Sequence, residues 1–192
     1  MSERLSLDRY RRNAAEISAD GRYRYTLERD WTSEQRELEV VAPPGVDVRI
    51  TTASGVVYRD EAVLFVMLNP STADARFDDP TIRRCVGFAR AWGYNRLLVG
   101  NLFALRATDP ATLLTDPDPV GPANDDWLAT LASRATIIVA AWDAAPVARD
   151  RGRIVLAGLR TAAPTYTLGL TKDGAPRHPL YLPGALLPQP LL

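Results

Sequence analysis

Apolar residues in this chain gather into four short runs, each leading into polar residues. The runs cover about 62–68, 97–103, 136–142 and 165–170. The first, Ala62 to Leu68, is continuously apolar, as expected for a parallel strand buried on both faces. Helical patterns lie between the runs. Asp79-Pro80 offers an N-cap and a first-turn proline. Ile82, Cys85, Val86, Ala89 and Trp92 follow at helical spacing, and Gly93 marks the end. Thr108-Asp109-Pro110 opens a short helix, Asn124 caps another carrying Trp127, Leu128 and Leu131, and a third fills about 146–159. Strand alternating with helix predicts an α/β fold. The specific expectation is a three-layer α/β/α sandwich around a four-stranded, mainly parallel central sheet.

The flanks are less regular. Residues 1–20 read as a polar helix stopped by Asp20-Gly21, and 22–31 alternate like a strand rich in aromatic and β-branched residues. Residues 32–61 contain Pro43-Pro44-Gly45 and predict an irregular excursion or hairpin. The proline-rich end, 183–192, predicts an extended strap. One domain over 1–192 follows, with a helical extension at 1–21, a core at 22–183 and a tail at 184–192.

Composition narrows the class. Hydrophobic residues make up 46% and charged residues 24%, and no apolar run approaches the roughly 20 residues of a membrane span. With no secretory signal pattern at Met1-Ser2-Glu3-Arg4, the expectation is a cytoplasmic protein without membrane partners. Cys85 is the only cysteine, which excludes an internal disulfide and a four-cysteine metal site. Net charge is zero, against a strongly electrostatic nucleic-acid coat but compatible with a few local arginines gripping phosphates.

The polar residues at the strand ends are the candidates for chemistry. Open parallel sheets bind ligands at the carboxyl ends of their strands. Asn69-Pro70-Ser71-Thr72 follows the first run, Asn101 interrupts the second, Trp142-Asp143 ends the third, and the only histidine, His178, lies in the loop after the fourth. Each has a plainer reading. Asn-Pro-Ser is turn chemistry, Asn101 can pin a neighbouring loop, and a strand-end aromatic such as Trp142 can be simple core. Asp79 reads as a helix cap, which leaves Asp74 and Asp78 as candidates for a general base or a weak metal site. Phosphate-binding glycine motifs and the G-x-S-x-G elbow are absent, and nothing implies a cofactor.

Taken together, Phe65-Val66-Met67-Leu68-Asn69-Pro70-Ser71, Asp78-Asp79-Pro80-Thr81, Gly100-Asn101-Leu102-Phe103 and Arg177-His178-Pro179-Leu180-Tyr181 resemble an uncharacterised bacterial family. It is the one labelled domain of unknown function sixteen-forty-three. The same blocks are similar, more distantly, to the uracil-DNA glycosylase superfamily. That resemblance implies a uracil-DNA-glycosylase-like fold and hydrolysis of the N-glycosidic bond of a damaged or modified base. DNA or a nucleotide would be the partner, and no metal would be needed. Asn69 would place the water, Asn101 would read the base, and His178 would meet the departing oxygen. Asp78 remains a catalytic candidate. Pro70, Ser71, Phe77, Phe103, Trp142 and Arg177 complete the expected substrate contacts, with an aromatic among them stacking on the base. Leu68 and Ser71 stand where the superfamily has glycines, and Leu180 where it has a serine that contacts DNA phosphate. The alternative reading is a non-catalytic module that binds a nucleotide or modified base. Oligomeric state is not set by the sequence.

Overall fold

The computed structural model describes residues 12–31, 50–51 and 57–191. The chain forms β1 (Arg12–Ile17), β2 (Arg24–Asp30), β3 (Ile50–Thr51), β4 (Val57–Met67), α1 (Pro80–Ala91), β5 (Tyr94–Asn101), α2 (Thr112–Thr115), α3 (Asn124–Ser133), β6 (Ile137–Ala140), α4 (Ala148–Ala162), β7 (Thr165–Thr167) and β8 (Gln189–Pro190). Seven strands lie in the order β1-β2-β5-β4-β6-β7-β8, and β3 pairs with β4 off this path. The four expected strands are its parallel centre, in the order β5-β4-β6-β7. The expectation of a four-stranded, mainly parallel sheet needs correction. β1 and β2 extend one side and β8 the other, all by antiparallel pairing.

Strand β4 shows why its run is unbroken. Ala62, Leu64 and Val66 join a cluster with Leu128 and Leu131 of α3 and Val155 and Leu159 of α4. Val63, Phe65 and Met67 join a second cluster with Ile82, Cys85, Phe88 and Ala89 of α1. Both faces of the strand are dry, so neither parity of position can be polar. Travel across the sheet reverses at β4: the chain steps from it to β5 on one side, then returns to β6 on the other. Right-handed crossovers place helices on opposite faces when the direction reverses, in keeping with α1 packing apart from α3 and α4.

Local signals at α1 act as written. Asp79 accepts the Ile82 N–H at 2.8 Å, Pro80 is the first helical residue, and Gly93 takes φ 84° just past the end. Elsewhere the outcome differs. Residues 12–17 of the expected N-terminal helix are strand β1, paired from Arg12↔Asp30 to Ile17↔Arg24. Residues 1–11 of that helix, and most of the expected excursion at 32–61, lie outside the described residues. Asn124 does not cap α3. It is the first helical residue, fully buried, and its Nδ2 donates to the carbonyls of Asn101 and Leu102 at 3.1 Å each. The strap expectation corresponds to a short strand: Leu182 enters the core, Trp92 Nε1 donates to Leu186 O at 2.9 Å, and β8 pairs with β7. Among the described residues no helix is long and apolar enough to cross a membrane.

Candidate functional site

The reversal at β4 opens a crevice between the carboxyl ends of β4 and β6, the position where doubly wound sheets take ligands. A cavity of about 500 Å³ occupies it. Its walls carry Leu68, Asn69 and Ser71 after β4, Trp142 and Asp143 after β6, and His178. Arg24, Asp79, Thr81 and Thr108 also line it.

Asn69 is held by its neighbours. Beyond β4 the chain keeps running beside the segment that leaves β5, through Leu102 N–H to Met67 O, Phe103 N–H to Leu68 O and Ala107 N–H to Pro70 O. The Asn69 Nδ2 donates to Ala107 O at 2.8 Å and to Pro70 O at 3.2 Å. Both neighbours are carbonyl oxygens, so the amide can be oriented only one way. Its Oδ1 is left as an acceptor on a residue of the cleft wall.

His178 is presented by a clamped loop. Asp143 N–H donates to Pro176 O at 2.7 Å and Arg177 N–H to Gly169 O at 3.0 Å, tying the loop to the ends of β6 and β7. The Leu180 N–H points at His178 Nδ1 (3.4 Å). With Nδ1 accepting, the neutral ring carries its proton on Nε2 and is a donor there. Burial lowers the imidazole pKa below its ordinary value, and Asp143 and Asp79 oppose that shift. Asp143 has φ 63°, left-handed for a residue with a Cβ, and its Oδ1 accepts the Ala144 N–H at 2.9 Å. Trp142 lies against α4, where a Cβ on Gly152 would meet the indole at 3.0 Å. Only glycine leaves that ring its place.

The remaining expected site residues fall elsewhere. Pro70 is buried beside the cleft, and its carbonyl receives the Asn69 and Ala107 hydrogen bonds. Asn101 ends β5 on the same sheet edge but is 1% exposed and does not line the cavity. Phe103 is buried in the α3–α4 cluster. Asp78 Oδ1 pairs with Arg29 Nε at 2.8 Å, both side chains buried and away from the cleft. Phe77 is exposed outside the cleft. Arg177 lies outside it too, on an adjoining hollow with Lys172 and Tyr181 that shares Asp143 and His178.

Arg24 is the residue that sequence reasoning missed. It lies in a segment whose alternation suggests one solvated face, yet every residue of β2 is buried. Desolvation pulls the guanidinium pKa down to about 10, with Asp79 opposing, so it stays cationic at neutral pH. Among the described residues no group of three His, Cys, Asp or Glu is placed to hold a metal ion.

No curated protein and no solved structure matches this chain. One family model does, that of "Protein of unknown function (DUF1643)", over residues 56–180. That span runs from β4 past His178 and holds Asn69, Trp142 and Asp143, while β2 and Arg24 lie outside it. With well over half of its 192 residues matched, the chain belongs to the DUF1643 family.

Proposed function

We propose that the cleft binds a nucleobase and that the protein hydrolyses the N-glycosidic bond joining it to its sugar, in the manner of a DNA glycosylase. The observation that carries this reading is the fixed polarity of the cleft. Asn69 offers an acceptor to orient a water, and the neutral His178 offers Nε2–H to an oxygen that gains charge as the base leaves. Trp142 supplies an aromatic wall of the kind a planar base stacks against. The same proposal takes the fold as a three-layer, uracil-DNA-glycosylase-type sandwich, supported by the separate helix clusters on the two faces of β4. It also takes the protein as cytoplasmic.

One observation favours a second reading, a binding module without catalysis. The Asn101 amide, expected to read the base, has neither Nδ2 nor Oδ1 bonded and is enclosed away from the cleft. Oligonucleotides carrying uracil, hypoxanthine or modified pyrimidines separate the two. The glycosylase reading expects alkali-labile breaks at one of these bases. Retention of such a strand without breaks favours the module, and neither breaks nor retention would remove the base reading.

A further inference from the structure

Among the described residues, Arg24 is a buried cation that forms no ion pair. Its side chain is 2% exposed although it lines the cleft. Nη1 donates to Ala73 O at 2.6 Å, whereas Nε is enclosed and has no acceptor. Arg29, five residues along the same strand and equally buried, has Asp78 at 2.8 Å. No described carboxylate forms such a pair with Arg24. Charge kept in a protein interior without a partner is costly, and a fold that keeps one has a use for it. Arg106 and Arg29 repel Arg24, Asp74 attracts it, and Arg106 Nε is also enclosed without an acceptor. Asp79 attracts Arg24 from beyond pairing distance while its Oδ1 caps α1.

Other donors converge on the same cavity. Ser71, Thr81 and Thr108 line it, and among the described residues none of their hydroxyls is hydrogen-bonded. Thr81 is the second residue of α1, where the backbone N–H groups and the helix dipole favour negative charge. A guanidinium, three hydroxyls and a helix start, beside the carboxylates of Asp79 and Asp143, offer donors to an anion with several acceptor oxygens.

We infer that Arg24, with Ser71, Thr81 and Thr108, forms a subsite for a phosphate group. The subsite stands on these residues. That its phosphate belongs to the sugar of the base-bearing unit rests on the base reading above, whether that unit is a nucleotide or part of a strand.

Calorimetric titration of the full chain with inorganic phosphate, against acetate at matched ionic strength, tests it. Saturable phosphate binding is expected, with acetate at least tenfold weaker and with a rise in Tm that grows with phosphate concentration. Arg24→Met should abolish binding. Because that change touches the interior, Thr108→Ala at an exposed position serves as the second variant, expected to weaken binding about tenfold. Absence of saturable phosphate binding, or affinity unchanged in both variants, overturns the subsite. Deoxyuridine and 2-deoxyribose 5-phosphate separate the two readings. Binding of the sugar phosphate without deoxyuridine keeps the subsite and removes the base reading, and the reverse removes the subsite. Displacement of phosphate by deoxyuridine monophosphate assigns a nucleotide, and displacement by a uracil-bearing single strand alone assigns a strand.

Discussion

His178 is the only histidine in the chain, so its protonation can be followed without overlap. Its folded pKa lies below the ordinary value of about 6.5 because burial disfavours the imidazolium. The sign of the stability effect follows. As pH falls below about 6.5 the unfolded chain takes up the proton first, so the unfolded state gains and the fold loses stability. The contribution is therefore complete above that pH and diminishes on acidification. A single imidazole resonance should titrate below about 6.5 by NMR, and Tm should fall between pH 7.5 and 5.5 more steeply in the native chain than in His178→Gln. Equal slopes would refute the assignment. Asn69 makes a separate claim at this scale. An acceptor that orients water acts mainly in the transition state, so Asn69→Ala should lower turnover about 10²-fold or more and leave substrate affinity within about threefold. Single-turnover kinetics on a cleaved oligonucleotide distinguishes this from lost binding. Asn69 and His178 were legible as strand-end polar residues. Arg24 was not, because an arginine in an alternating strand looks solvated until a second layer covers it.

Among the elements, the parallel strands were readable from sequence because burial on both faces keeps their centres mainly apolar, most completely at Ala62 to Leu68. Their ends were not. β4 begins at Val57, where Arg59-Asp60-Glu61 is a charged run ahead of the apolar centre, and β5 begins at Tyr94-Asn95-Arg96. These residues pair beyond the apolar centre, so backbone hydrogen bonding rather than apolar pattern decides them. β1 was misread for a related reason. Arg12-Asn13-Ala14-Ala15-Glu16-Ile17 carries good helix formers, but an open edge of β2 recruits it as a strand, and pairing overrides propensity. Asp78 shows the same limit for a side chain. The sequence presented an acid near Asn69, and the fold turned it toward Arg29. Arg29 Nη2 also donates to Asp74 O at 2.6 Å, so the pair fastens β2 to the loop between β4 and α1. Asp78→Ala breaks the buried ion pair with Arg29 and should cost about 3–5 kcal/mol in urea unfolding. Turnover per folded molecule should be unchanged. A large loss of turnover in fully folded Asp78→Ala would restore its catalytic candidacy.

The whole molecule is larger than the part that matches its family. Residues 56–180 hold the parallel centre and most of the cleft, but the two flanks complete both. On one side β2 supplies Leu27 to the core, pairs with Leu97–Val99 of β5, and carries Arg24 and Arg29. On the other, the tail after residue 180 adds Leu182, the Trp92–Leu186 hydrogen bond and β8. A fragment of residues 57–180 would expose β5 as an open apolar edge, which invites pairing with other chains. It would also lose the counter-ion of Asp78 and the cation of the cleft. Such a fragment should lack the near-ultraviolet signal of packed aromatics, unfold without a cooperative transition and aggregate at concentrations where the full chain stays monodisperse. Light scattering and thermal unfolding of the two side by side measure this. A fragment that unfolds cooperatively within about 2 kcal/mol of the full chain would show that the flanks decorate a self-sufficient core. If the fragment fails but recovers when residues 12–31 and the tail are restored, the domain is a single cooperative unit. In that unit the strand that closes the sheet edge also delivers the cation of the cleft, so edge protection and ligand binding are supplied by the same seven residues.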